Sequence, residues 1–227
     1  MYRVIRGLRV YTYHYIEIYF KILSFINEIA EYYDIQIKNV RHYHIKNYCI
    51  DVLQYDIAYS TKKGSIAGLT LISEQLVAIV INANKNVHKE RQTFSLMHEI
   101  AHTILHIDEN SETQQFASVR NSLNHYENNE KIEQEIEADI CASILMINDD
   151  ALIEQLKKKK TFEELKQIFN TSHSATQTRL TNFLIYTASY PYQKARELLS
   201  SYMQGEISLE TIFPDCLIDD CYLDSYY

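Results

Sequence analysis

The chain has 227 residues, 46% of them hydrophobic, and a formal net charge of −8 at pH 7. It is long enough to bury a sizeable core, and its acidity argues against a surface built mainly to hold phosphate backbones. The four cysteines, at positions 49, 141, 216 and 221, form no CxxC pair. Neither a zinc ribbon nor a disulfide framework is therefore indicated, and reduced cytosolic thiols are expected.

The first predicted element is a helix of about Tyr13 to Tyr33. Its apolar stretch is interrupted by Glu17, Lys21 and Glu28, so it lacks the uninterrupted apolar run of about 18 residues that a membrane span needs. No secretory or membrane segment is predicted. The expected location is cytoplasmic, without a membrane partner.

Three strands are predicted next, near Asp51–Tyr59, Ile66–Ile72 and Leu76–Ile81. The turn residues Lys62-Lys63-Gly64 mark a first hairpin, and Ser73-Glu74-Gln75 mark a second. If the Leu76–Ile81 strand lies at the sheet edge beside the metal, a peptide could pair with it as an added strand.

The run His98-Glu99-Ile100-Ala101-His102 is an HExxH motif, on a helix predicted from Lys89 to His106 because no Gly or Pro interrupts it. Side chains four apart are neighbours on a helix, so both imidazoles can bind one metal ion. Glu99 lies about 100° further round the helix and can reach the open position of that ion. Zinc lowers the pKa of a bound water from 15.7 towards about 7. The pattern therefore predicts amide hydrolysis, with Glu99 taking the proton.

A third ligand is needed, and His106 is the nearest candidate. Donors on three successive turns of one straight helix would spread over roughly 12 Å, at 1.5 Å per residue, which is too far for bonds of about 2 Å to one ion. We therefore expect the third ligand to come from another helix.

An amphipathic helix predicted over Ile132 to Ile147 can supply it, because isoleucines repeat there every four residues. Glu137 is the favoured ligand, since the small residues that follow it allow a close approach between the two helices. We expect Glu133 and Glu135 to lie on a solvated face. Asp139 could accept a hydrogen bond from a ligating imidazole.

These two segments resemble a known family. Arg91 to His102 and Glu133 to Met146 are similar to the paired motifs R-x-F-(T/S)-x-x-H-E-x-x-H and E-x-E-A-N-x-F-A-x-x-L-L-M-P of the ImmA/IrrE metallopeptidases. Upstream, Ile66 to Leu71 and Ile79 to Asn82 resemble the family's G-L-T-L and I-I-I-N strands. The resemblance covers roughly Asp51 to Leu184.

The resemblance implies that His98, His102 and Glu137 bind zinc and that Glu99 is the catalytic base. It also implies an α+β fold: a gluzincin-like core in which a small mixed or antiparallel sheet packs on the HExxH helix and the Glu-bearing helix. Residues 1–148 would form the metallopeptidase domain with its N-terminal helix. Residues 149–227 would form a helical C-terminal region, a helix-turn-helix-like bundle with an acidic tail.

Between the two motif helices, Asp108 to Glu130 is a polar stretch. We expect either a flap over the cleft or a tolerated surface loop. His125 or Tyr126 could stabilise an oxyanion, although the sequence favours neither.

The C-terminal region carries clear helix signals. Thr161 and Glu164 form a predicted capping box for Phe162–Phe169, Thr171 or Ser172 can cap a helix to about Tyr186, and Pro191 suits the start of a third. The predicted core consists of Phe162, Leu165, Ile168, Leu180, Phe183 and Leu184. The second helix offers only His173 and Arg179 to a duplex, so direct DNA binding is not expected.

The sequence therefore predicts a zinc-dependent endopeptidase. The resemblance implies that its substrate is a specific helix-turn-helix transcriptional repressor, often encoded beside the protease on a mobile element, whose cleavage derepresses genes. Two alternatives stay open, a DNA-binding regulator and a metal-bound protein-interaction module that has lost turnover.

Overall fold

A computed structural model describes residues 2–74, 76–108, 111–119 and 129–211. This part of the chain holds eight α-helices and four strands, which confirms the predicted α+β class with a small mixed sheet. The chain forms two compact units, residues 1–148 and 149–227. No helix in the described residues is both long and apolar enough to cross a membrane.

The first unit contains four helices and all four strands. In chain order they are α1 (Tyr2–Tyr32), α2 (His42–Asp51), β1 (Asp56–Ser60), β2 (Ile66–Ser73), β3 (Leu76–Asn82), α3 (Lys89–Leu105), β4 (Thr113–Val119) and α4 (Asn129–Met146). The HExxH helix and the Glu-bearing helix therefore form close to where the sequence predicts them.

The strand order of the sheet is β1-β3-β2-β4. The second predicted hairpin is confirmed, because β2 and β3 are antiparallel with Ser73 opposite Leu76. The first is wrong, because β1 pairs in parallel with β3 rather than with β2. The structure also corrects the predicted edge: β3 lies inside the sheet, where its neighbours already use its hydrogen-bonding groups.

The edge next to β2 is β4, which lies within the stretch predicted to be a flap or loop. β4 pairs antiparallel with β2, and the register slips by one residue between Ile66 and Gly68. Such a bulge increases the local twist and re-aims side chains. The remainder of the predicted flap, residues 109–110 and 120–128, lies outside the described residues.

Helix α3 is the centre of the first unit. It packs against β2, β3 and β4 and also against α1 and α4, and every residue from Ser95 to Thr103 is buried. A helix that is buried on all sides must place its polar residues inside the protein. In α3 those residues include both histidines and the glutamate of the HExxH motif.

Helix α4 packs against α3 and buries small residues together with Ile144, rather than its first three isoleucines. Ala138, Cys141 and Ala142 are fully buried, whereas Ile132, Ile136 and Ile140 keep intermediate exposure. Small side chains allow two helix backbones to approach closely, so this seam sets the rotation of α4. Glu135 lies on the same seam, three residues before Ala138, and is only 8% exposed.

The second unit contains α5 (Asp149–Lys157), α6 (Phe162–Phe169), α7 (His173–Asn182) and α8 (Tyr192–Met203). The predicted capping box is confirmed: Glu164 N–H donates to the Thr161 hydroxyl, and the Glu164 carboxylate accepts from Thr161 N–H. Ser172 rather than Thr171 caps α7. The predicted core residues are buried except Ile168, which is 37% exposed. Most of the predicted acidic tail, residues 212–227, lies outside the described residues.

A buried ion pair lies within the second unit. The Arg179 guanidinium donates to the Asp149 carboxylate, and the side chains are 1% and 5% exposed. The second carboxylate oxygen accepts a 2.9 Å hydrogen bond from the Thr187 hydroxyl. Arg179, one of the two side chains that the sequence offered to DNA, is therefore committed to the interior.

Replacing Arg179 with methionine should destabilise the protein by about 3–5 kcal/mol, because Asp149 would be left as a buried charge without its partner. Urea-induced unfolding measures this change. Lys158→Met is the control: Lys158 pairs with Glu154 at 3.1 Å on the surface, and exposed pairs contribute less than about 1 kcal/mol. Equal losses in the two variants would contradict the assigned role of the buried pair.

Candidate metal centre

Two imidazole nitrogens and the carboxylate of Glu135 converge where α3 meets α4. His98 Nε2 lies 3.2 Å from His102 Nε2 and 3.2 Å from Glu135 Oε2, and His102 Nε2 lies 3.6 Å from Glu135 Oε1. The three residues are buried and form the only group of this kind in the described part of the chain. Their arrangement can hold one metal ion.

The donor spacing fits a tetrahedral site. Ligands with bonds of about 2.0–2.1 Å to a tetrahedral zinc ion lie about 3.3 Å from one another. The two imidazole nitrogens lie 3.2 Å apart, and each lies 3.2 or 3.6 Å from one of the two Glu135 oxygens, so these distances are close to that length. Two imidazoles and one carboxylate also form a donor set that leaves a fourth position open, as catalytic zinc sites do.

The structure brings Glu135, rather than the expected Glu137, beside the two histidines. The predicted solvated position of Glu135 is wrong, because the residue is buried. Residues two apart on a helix lie about 200° apart around its axis, so the two side chains cannot share one site. The Glu137 carboxylate instead accepts a 2.8 Å hydrogen bond from His106 Nε2.

Each histidine of the group also has a partner on its other ring nitrogen. His98 Nδ1 lies 2.8 Å from the Asp139 carboxylate, which confirms the expected hydrogen bond between Asp139 and an imidazole of the motif. His102 Nδ1 lies 2.9 Å from His106 Nδ1. Partners of this kind fix the orientation and tautomer of a ligating imidazole.

The charges in the group differ sharply between neighbours. Burial alone lowers the pKa of His98, but hydrogen bonds to Asp139 and Glu135 raise it to about 10. Burial lowers the pKa of His102 to about 4, even with Glu135 beside it. For Glu135, burial raises the pKa, yet hydrogen bonds from His102 and His98 bring it down to about 2. Without metal, the site therefore holds one imidazolium, one neutral imidazole and a carboxylate.

Glu99 points into the seam between α3 and the sheet and is fully buried. The Thr70 hydroxyl donates to Oε2 at 2.7 Å, and the Ser118 hydroxyl donates to Oε1 at 2.6 Å. Burial raises the pKa of the Glu99 carboxyl, while the charge of His98 and the two hydroxyl bonds oppose that rise. The carboxylate is therefore held in one position by two strands.

The sheet surface under the motif consists of two cross-strand pairs. Gly68 lies opposite Ser118, and Thr70 lies opposite Phe116. Phe116 stacks on the His102 ring, with centroids 4.4 Å apart and an angle of 13° between the planes. Alternate residues of β2 and β4 thus contact both Glu99 and His102.

The sequence analysis does not predict that the sheet contributes residues to this site, although the sequence contains a signal for it. Gly68 and Thr70 are two apart, so they share one face of a strand. Glu135 and Asp139 are four apart and share one face of a helix, which could have indicated that these two residues act on the same pair of histidines. Ser118 carried no signal, because its strand lies in a polar stretch. His125 and Tyr126 lie outside the described residues.

Comparison with known families decides the assignment. The model of Peptidase_M78, described as the IrrE N-terminal-like domain, matches residues 54–181. The chain belongs to the ImmA/IrrE family. The resemblance seen in the sequence is thereby confirmed, and membership of this family indicates a metallopeptidase-type function. None of the curated proteins matches the chain.

Replacing Gly68 with alanine should disturb Glu99 directly. The added Cβ would lie 2.3 Å from Glu99 Oε1 and 2.6 Å from Cγ, and overpacking of this kind costs about 1–3 kcal/mol. Gly64→Ala is the matched control, because beyond its two chain neighbours the nearest atom to its Cβ would be the Ile66 nitrogen at 4.0 Å. Thermal unfolding of the metal-free variants measures the difference. A loss of stability in Gly64→Ala equal to that in Gly68→Ala would contradict the close packing of Glu99 on β2.

Proposed function

We propose that the protein is a zinc-dependent endopeptidase in which His98, His102 and Glu135 hold the metal and Glu99 is the general base. The observation that carries this proposal is the convergence of two imidazole nitrogens and one buried carboxylate, each nitrogen lying 3.2–3.6 Å from the other and from an oxygen of Glu135, with one position left for another ligand. A gluzincin-like core, in which two histidines of one helix and a glutamate of the next bind one ion, is part of the same proposal.

The residues of the chain divide the chemistry among them. A bound zinc ion supplies Lewis acidity towards the peptide carbonyl and makes water a better nucleophile. Glu99 takes the proton from the attacking water and passes it to the leaving amine. Its raised pKa suits a group that must accept and release a proton near neutral pH. The Thr70 and Ser118 hydroxyls keep the carboxylate oriented between these two transfers.

A substrate peptide would bind along β4. Among the described residues this strand lies at an edge of the sheet, and its residues Phe116 and Ser118 contact His102 and Glu99. A peptide that pairs with the edge of a sheet is held in extended form by main-chain hydrogen bonds. An extended substrate presents a scissile amide in a regular orientation, which suits an endopeptidase.

We propose, from the family resemblance, that the substrate is a helix-turn-helix repressor whose cleavage derepresses its genes. After Arg196 the sequence contains several acidic residues but no Lys or Arg. Together with the burial of Arg179, this supports recognition of a protein rather than of a duplex. The helix-turn-helix-like character and partner-binding role of residues 149–227 belong to the same proposal.

One observation favours the second candidate, a metal-binding interaction module without turnover. Both oxygens of Glu99 accept short hydroxyl hydrogen bonds, and the side chain has no exposed surface. A carboxylate whose two oxygens are both hydrogen-bonded in this way could have a purely structural role, which is to join the sheet to α3. The variant Glu99→Gln separates the two candidates. If the protein is an enzyme, the variant loses peptide cleavage. If the protein is an interaction module, the variant binds its partner as wild type does.

Zinc content and cleavage together test the proposal. The purified protein, loaded with zinc, is incubated with the repressor encoded beside its gene, and fragments are followed by mass spectrometry. Wild type should bind one zinc ion and release discrete fragments. Glu135→Ala should lose the metal and the cleavage, whereas Glu99→Gln should keep the metal and lose at least about 100-fold in rate, because an amide cannot accept the proton.

Glu133→Gln is the matched control, since Glu133 is an exposed carboxylate on the same helix as Glu135. It should keep both zinc and rate. Full zinc binding by Glu135→Ala would remove Glu135 from the ligand set. A Glu99→Gln protein that still cleaves would exclude Glu99 as the base.

Zinc binding should release about one proton per protein at pH 7, because His98 is protonated when its pKa is about 10 and must be neutral to bind a metal. The apparent affinity should accordingly rise with pH. Calorimetric titration in buffers of different ionisation enthalpy counts the protons. Asp139→Asn removes a partner that raises the His98 pKa, so in this variant the proton release should fall off at a lower pH than in wild type. The same pH dependence of the proton count in the two proteins would contradict the assigned charge of His98.

A further inference from the structure

His106 and Glu137 form a hydrogen-bonded chain that ends on His102. Glu137 Oε2 lies 2.8 Å from His106 Nε2, and His106 Nδ1 lies 2.9 Å from His102 Nδ1. The chain is well shielded from solvent, since the His106 side chain is 5% exposed and that of Glu137 is 21% exposed. The sequence suggests both residues as candidate metal ligands, but neither belongs to the converging group of His98, His102 and Glu135.

The geometry of the chain leaves one arrangement of protons in the metal-loaded site. His102 Nε2 faces His98 and Glu135, and a nitrogen that binds a metal must present its lone pair. The proton of neutral His102 is therefore on Nδ1, and it donates to His106 Nδ1. His106 must then carry its own proton on Nε2, where the Glu137 carboxylate accepts it. Every bond in the chain has one donor and one acceptor.

The opposite arrangement would work against metal binding. If His106 Nδ1 carried a proton, His102 Nδ1 would have to accept it, and the proton of neutral His102 would move to the nitrogen that faces the metal. Glu137 counters this in neutral His106, because its carboxylate accepts a hydrogen bond from Nε2 and so holds the single ring proton there. The chain thus selects the tautomer of His102 that can act as a ligand.

We propose that His106 and Glu137 are positioning residues, which fix the tautomer and the ring orientation of His102 for metal binding. The proposal rests on the metal site proposed above. Asp139 contacts His98 in the corresponding way, so each imidazole of the motif is supported from a different position on α4. Phe116 stacks on the His102 ring and restricts its rotation further. Loss of such partners typically lowers metal affinity 10–100-fold.

The test is the zinc affinity of the full-length protein, measured by competition with a chromophoric chelator. His106→Ala and Glu137→Ala should each weaken zinc binding 10–100-fold while keeping one ion per protein at saturation. Glu135→Ala, which removes a ligand, should lose far more. Glu133→Gln should bind zinc as wild type does.

Two conservative variants separate positioning from a general loss of structure. His106→Asn keeps an amide oxygen near the position of Nδ1, and Glu137→Gln keeps an acceptor for His106 Nε2–H. Each should bind zinc more tightly than the corresponding alanine variant. Nitrogen-15 spectra of the imidazoles in the zinc-loaded protein should show His102 protonated on Nδ1 and His106 protonated on Nε2. Packing alone would not dictate these tautomers.

The outcomes distinguish this proposal from the one on which it rests. If wild type binds zinc, Glu135→Ala loses it, and His106→Ala and Glu137→Ala bind it as tightly as wild type, the positioning role is overturned and the metal site stands. The role is also overturned if His106 carries its proton on Nδ1, or if Glu137→Ala loses zinc as completely as Glu135→Ala does. A wild-type protein that binds no zinc would overturn the metal site itself.

Discussion

The burial of α3 on all sides is the constraint on which the rest of the structure depends. Its motif places two imidazoles and a carboxylate in the interior, where a polar group without a hydrogen bond costs about 1–3 kcal/mol and a charge costs more. The neighbouring elements satisfy this demand. Strands β2 and β4 donate two hydroxyls to Glu99, and α4 supplies carboxylates to the histidines. The site and the core are thus the same set of contacts.

Local signals in the sequence predicted much of the fold. The helix bounds of α3 and the capping box of α6 were correct, because each depends on residues a few positions apart. The rotation of α4 was not predictable in this way. Isoleucines at every fourth position suggested one buried face, but the close approach to α3 favours small residues, and Ala138 and Ala142 define the seam. Which residues of α4 are buried therefore depends on the partner helix, and for this reason Glu135 rather than Glu137 lies beside the two histidines.

The sheet shows a second limit of sequence reasoning. Short strands joined by turns predict consecutive hairpins. In the structure, however, β1 pairs with β3 and not with β2, the next strand in the sequence. Strand β4 reads as polar because one of its faces supports a polar motif: Ser118 contacts a carboxylate and Phe116 contacts an imidazole. Hydrophobic alternation cannot reveal a strand whose inner face serves a site. Gly68 and Thr70, by contrast, belong to the G-L-T-L motif, and contacts with Glu99 explain both. Gly68 leaves room for the Glu99 side chain, and Thr70 donates a hydroxyl hydrogen bond to it.

The one-residue slip between β2 and β4 has a mechanical consequence. Side chains alternate between the two faces of a strand, so moving the register by a single step would turn Ser118 and Phe116 away from the helix. The bulge near Ala67 lets the end of β2 stay paired while the inner pairs keep the alignment that the helix needs. A peptide that pairs with β4, as proposed for the substrate, would stabilise the same strand that holds the Glu99 carboxylate and the His102 imidazole in place. Peptide docking and the rigidity of the active site would then depend on the same strand.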